Sequence, residues 1–227
     1  SPPTSPSLGQ AAKEMFADKV PDIDRWLLLR LRSFVERVAS AYDEYSLHTV
    51  YHEVQNFCAV DLSAVYFSIV KDRLYVERAD SPSRRSAQSV LYLTLKSLLI
   101  VLAPILPFTA EEAYRLIPAK LHPTVQLEDW PLHEEFPQDE EALKRWEVLF
   151  QIRSEVLRAI EVAKSDGLIR DPLESQVAIS CDGPFYDALV SLGDHLNSFF
   201  VVSQVCLERG SEDVPFAIEV RPAEGEK

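Results

Sequence analysis

Between Gly9 and Gly167 the chain contains no glycine. A long stretch without that residue, whose apolar side chains recur every three or four positions, has the makings of a helical bundle. After Pro21, one stripe runs through Ile23, Trp26, Leu27, Leu31, Phe34, Val35, Val38, Tyr42 and Tyr45. A second runs through Leu47, Val50, Tyr51, Val54, Phe57, Cys58, Leu62, Val65 and Ile69, and no proline interrupts either before Pro82. About two long helices fit there, each with an apolar face that must pack on a partner. Ser81 and Pro82 have the cap and first-turn character that opens another helix, with Ala87, Val90, Leu91, Leu95, Leu98, Val101, Leu102 and Ile105 on its core face. Thr109 with Glu112 forms a capping-box pattern, which predicts a short helix from Ala110 to Leu116.

The texture changes downstream. His122 to Gln138 is a proline-rich, acidic connector, and Asp139 can cap a helix through Trp146, Leu149, Ile152, Val156, Leu157 and Ile160, with Gly167 past its end. Gln176–Ser180, Val201–Leu207 and Phe216–Val220 then read as strands, with short helices near Phe185–Leu192 and Asp194–Phe199. The expected fold is mainly α, an antiparallel helical bundle followed by a small α+β unit. Residues 1–21 are a leader, 22–118 the bundle, 119–138 the connector and 139–227 the helix with its α+β unit.

Net charge is −13, which argues against nucleic acid as a partner until its distribution is considered. Lys71, Arg73, Arg78, Arg84, Arg85 and Lys96 outweigh Asp72, Glu77 and Asp80, so one basic segment stands out from an acidic chain. Arg73, Arg84 and Arg85 with Tyr75 and Tyr92 combine charges for phosphates with rings on which unstacked bases can lie. The competing reading is a solvated face with pairs such as Arg73 to Glu77. Trp26 has a similar ambiguity between core and stacking platform.

Other chemistries find little support. Cys58, Cys181 and Cys206 are odd in number and widely spaced, which suits reduced thiols rather than a disulfide or zinc framework. His48 and His52 stand four apart on a predicted helix but lack a third metal ligand. The apolar run Val90 to Phe108 is broken by Lys96, Pro104 and Pro107, so it reads as a core helix rather than a membrane span. No nucleophile constellation or phosphate-cradling glycine loop is present, so the chain alone is expected to catalyse nothing.

Four segments resemble one family. D-R-W-L-L-L-R-L from Asp24 to Leu31 resembles the start of the helical anticodon-binding domain of class I aminoacyl-tRNA synthetases. D-L-S-A-V-Y-F-S-I-V-K-D-R-L-Y from Asp61 to Tyr75 is similar to the isoleucyl branch of that family. R-R-S-A-Q-S-V-L-Y from Arg84 and L-A-P-I-L-P-F-T-A-E-E from Leu102 follow in order. I-R-S-E-V from Ile152, P-L-E-S from Pro172 and L-G-D from Leu192 look like the same branch's C-terminal extension, with Ile169 and Arg170 replacing a usual Ile-Gly.

The resemblance implies a tRNA ligase part that grips the anticodon stem and loop of an isoleucine tRNA, as a cytoplasmic monomer with no membrane contact. The intact enzyme would use ATP, and its catalytic and editing domains would belong to the same polypeptide. The H-I-G-H and K-M-S-K-S signatures are absent here, so no cofactor is expected in this part. Lys227 lies about where the branch begins a cysteine-rich zinc module, which points to a part cut from a longer enzyme. On this reading RNA contacts fall to Arg25, Trp26, Lys71, Arg73, Arg84, Arg85, Lys96, Arg145 and Arg153. The equivalent region of a valyl or leucyl enzyme is the near alternative, and a non-catalytic helical protein-interaction module the distant one.

Overall fold

A computed structural model describes residues 21–118, 120, 122–210 and 216–223. The leader therefore lies outside the described residues, apart from Pro21. Helix α1 (Asp22–Asp43) begins directly after Pro21 and has Asp22 and Asp24 in its first turn. The predicted stripe is buried through Trp26, Leu27, Leu31, Phe34, Val35 and Val38, but Tyr45 beyond it is 90% exposed. Tyr45 has φ 54°, and it closes the helix with Ser46 N donating to Ala41 O (2.7 Å) and its own N donating to Tyr42 O (3.0 Å). Glycine usually fills that left-handed closing position. Here a tyrosine takes it, at a cost of about 1 kcal/mol.

The next helical run is continuous but not uniform. Helix α2 (Leu47–Asn56) passes into a π-helical segment, Phe57–Tyr66, and that into α3 (Phe67–Tyr75). Val50, Phe57, Leu62, Val65, Tyr66, Ile69 and Val70 face the core, whereas Leu47 and Tyr51 are 52% and 59% exposed, contrary to the second stripe. The π segment shifts the helical phase, so the α-helical period cannot fit both ends.

Helix α4 (Pro82–Leu102) starts where Ser81 and Pro82 predicted it, although the Ser81 hydroxyl donates to Glu77 rather than to the helix backbone. Its core face runs through Ala87, Val90, Leu93, Thr94, Ser97, Leu98 and Val101, leaving Leu95 exposed. Helix α5 (Pro107–Leu116) begins earlier than the Thr109–Glu112 pattern implied, because Pro107 occupies the first turn and puts Thr109 inside the helix.

The stretch after α5 packs against the helices. Val125 and Phe136 are buried, Trp130 meets the Tyr42 ring edge-on at 5.6 Å, and Arg32 Nη1 donates to the carbonyls of His133 (2.6 Å) and Phe136 (2.9 Å). The chain divides into two compact units between Asp139 and Glu140, so the connector belongs with the bundle.

In the second unit, helix α6 (Glu140–Ser165) ends at Gly167, whose φ is 73°. Leu168 N donates to Ala163 O (2.9 Å) and Gly167 N to Lys164 O (3.0 Å), the paired closure that glycine favours. A Cβ at Gly167 would meet nothing within 4 Å, so only backbone conformation resists substitution. Gly167→Ala should cost about 1 kcal/mol, read as a lower urea midpoint.

The remaining elements are β1 (Ser175–Cys181), α7 (Gly183–Leu192), α8 (Leu196–Phe200), β2 (Gln204–Arg209) and β3 (Phe216–Pro222). The sheet order is β2-β1-β3, with β1 parallel to β2 and antiparallel to β3. Val177, Ile179 and Cys181 are buried while their neighbours are half-buried, the alternation of a sheet with one covered face. The second strand starts later than expected because Val201 is the left-handed cap of α8, with φ 58°.

Candidate nucleic-acid interface

One end of the bundle is organised around a carboxylate to which the sequence analysis gave no role. Asp24 is fully buried, and Arg73 grips it with two hydrogen bonds, Nη1 to Oδ1 at 3.2 Å and Nη2 to Oδ2 at 2.7 Å. The Tyr66 hydroxyl donates to Oδ1 (2.8 Å) and the Ser86 hydroxyl to Oδ2 (2.5 Å). Arg73 Nη2 also donates to Ser83 O at 2.7 Å. The start of α1, the end of the π segment, the end of α3 and the start of α4 are thereby joined at one point. A second bidentate pair, Arg30 to Asp61 at 3.2 and 3.0 Å, pins the π segment to α1.

Several of the residues expected to touch RNA are held inside the protein. Arg73 pairs with Asp24 rather than Glu77, and its side chain is only 12% exposed, so its guanidinium serves as a strut within the bundle. Trp26 is 3% exposed and belongs to the core. Lys96 is buried in an ion pair with Glu128 at 2.9 Å. Arg153 is 7% exposed, with Nε donating to Phe199 O at 2.9 Å. In each case the cation has a protein partner far along the chain, invisible to local periodicity. Tyr92 is half-buried against the cluster of Leu99, Ile100 and Tyr114.

What stays accessible at this end is compact in sequence. Lys71 and Arg85 are exposed, Tyr75 is 80% exposed at the last residue of α3, and Arg78 is paired with Asp80 on the surface. Arg25 and Arg84 are half-buried, and Arg84 Nη1 donates to Glu77 O at 2.6 Å. Arg145 is exposed in the second unit. The arrangement is a rigid scaffold presenting cations and one ring, which suits holding phosphates and a splayed base.

Both buried phenols keep their protons beyond the usual tyrosine range. For Tyr66 burial is the main cause and the Asp24 carboxylate the next. For Tyr114 burial, then the hydrogen bond to Glu128, pushes the value up to about 12. An unfolded phenol ionises near about 10, so between about 10 and about 12 the folded chain binds more protons and loses stability as pH rises. The contribution is complete below that window. Urea midpoints should decline across it; a flat profile would mean that the phenols titrate normally.

Among the described residues no three metal-ligating side chains converge, and His48 and His52 are both exposed. No described helix is long and apolar enough to cross a membrane.

Residues 24–179 match the model of the anticodon-binding domain of tRNA ligase. The chain is 44% identical over 216 residues to isoleucine–tRNA ligase of Carboxydothermus hydrogenoformans, a match covering 92% of this chain and 23% of that protein. It is 42% identical over 205 residues to the Moorella thermoacetica ligase of the same name, covering 87% and 22%. With the Geobacter sulfurreducens ligase of that name it shares 38% over 218 residues, covering 92% and 24%. The chain thus spans less than a quarter of the length of these relatives. With the family match reaching from the buried Asp24 to the central strand of the sheet, the chain belongs to the anticodon-binding domains of tRNA ligases.

Proposed function

We propose that this chain is the anticodon stem-loop binding region of an isoleucine–tRNA ligase, which orients the tRNA for ATP-dependent aminoacylation on catalytic domains of the same polypeptide. The observation that carries the reading is the end of the bundle where Lys71, Arg85 and Tyr75 stand exposed on helices locked by Asp24. Lys71 and Arg85 hold phosphates, and Tyr75 offers a face to an unstacked base. Arg25 and Arg84 add positive charge around the RNA, and Arg145 is a separate candidate contact on the second unit. Isoleucine as the amino acid is supported by the names of the relatives. The chain itself does binding work and takes no cofactor, while ATP and zinc serve other domains of a cytoplasmic, monomeric enzyme with an editing domain.

The test is titration of the chain with isoleucine tRNA and with a tRNA of different anticodon across a salt series. Binding should weaken steeply with salt and favour the isoleucine anticodon. Lys71→Ala and Arg85→Ala should each reduce the slope of log affinity against log salt by about 0.7–0.9, the share of one phosphate. Unchanged slopes in both variants would move the RNA elsewhere on the domain.

A further inference from the structure

We infer that the outer face of the helical run from Gln55 to Phe67 is a docking surface for an uncharged helix elsewhere in the polypeptide of a ligase of the relatives' length. Exposed residues along this run recur every four positions: Tyr51 and His52, Gln55 and Asn56, Ala59 and Val60, Ser63 and Ala64, then Phe67, and Lys71 with Asp72. Four residues overshoot one turn of an α-helix. In a π-helix, whose hydrogen bonds span five residues, four fall short of a turn. The π segment therefore offsets the drift of its α flanks and keeps these residues on one straight face.

The chemistry of that face is unusual for this chain. From Gln55 through Phe67 no exposed side chain is charged, although charged residues make up 26% of the sequence. Asp61, the charged residue in that span, is turned inward onto Arg30. Val60 and Phe67 are 48% and 44% exposed, and Ala59, Ser63 and Ala64 beside them leave room for a helix ridge to approach closely. A helix face that remains in water ordinarily carries charge. RNA is a poor occupant, because no exposed cation within the span could neutralise a phosphate.

The occupant is assigned to the same polypeptide by length and tethering. The matched portion is 23% of the C. hydrogenoformans relative, so most of such a polypeptide lies outside this domain and is held near it at high effective concentration. This inference is independent of the RNA reading, since it uses the opposite chemistry and a different stretch of the helix.

Hydroxyl-radical footprinting tests it, comparing the full-length polypeptide with the 227-residue chain, each with and without isoleucine tRNA. Without RNA, Phe67 labelling should fall several-fold in the full-length protein while Tyr75 labels equally in both. Ala64→Arg in the full-length protein should restore Phe67 labelling, and its exposed position spares the fold of the domain. Equal Phe67 labelling in both proteins overturns the proposal, as does protection that appears only with tRNA. Protection of the short chain that grows with its concentration would assign the face to a second copy and overturn it as well. Persistence of the protection in Ala64→Arg would place the docked helix elsewhere.

Discussion

Asp24→Ala should destabilise the bundle by about 3–5 kcal/mol, the range for removing one partner of a buried ion pair. The substitution leaves the Arg73 guanidinium, 12% exposed, with no counter-charge, and it strips Tyr66 and Ser86 of their acceptor. The loss should appear as a lower urea midpoint with an unchanged slope, because the folded core stays the same size. Asp24→Leu combined with Arg73→Met should recover most of the stability, since an apolar pair leaves no stranded charge. A loss below about 1 kcal/mol in the single variant would mean that water reaches Arg73 and screens it as at a surface.

Lys96→Ala should cost a similar amount, about 3–5 kcal/mol, for a different architectural reason. Lys96 on α4 and Glu128 in the connector are each 6% exposed at the side chain, and the Tyr114 hydroxyl of α5 also donates to Glu128. Removing the ammonium strands the carboxylate and releases the anchor that holds the connector to two helices. Unfolding should therefore occur at lower denaturant, and proteolysis under native conditions should begin within residues 122–138. Lys96→Met keeps the aliphatic stem and separates packing from charge. If it matches wild type, the stem carries the stability and the ion pair adds nothing.

The helices were legible because they obey a local rule. The α1 stripe keeps one period throughout, and every predicted position from Trp26 to Val38 is buried. The second stripe was legible only in part, since the π segment alters the number of residues per turn and puts Leu47 and Tyr51 outside. Charges inside the core were misread for a related reason. A cation such as Lys96 or Arg153 is expected at the surface unless its partner is known, and Glu128 and the Phe199 carbonyl lie far along the chain. Asp24 could have been suspected from its place between Ile23 and Trp26, two residues of the stripe. Within the candidate interface, the exposure of Lys71 and Arg85 was legible because it is the default for charged side chains. The struts Arg73, Tyr66 and Ser86 depend on a three-dimensional knot that no spacing announces.

The strand order gives the second unit a particular timetable during synthesis. β1 is the central strand, yet both of its neighbours are translated after it, β2 first and β3 last. The bundle uses only residues made before Glu140, so it can close while the later segment is still emerging. Once β1 and β2 have left the ribosome and until β3 follows, β1 can pair along one edge alone, with the other edge open to strands of neighbouring chains. The interval between the emergence of β2 and that of β3 is therefore when the central strand of this sheet stands with one edge unprotected.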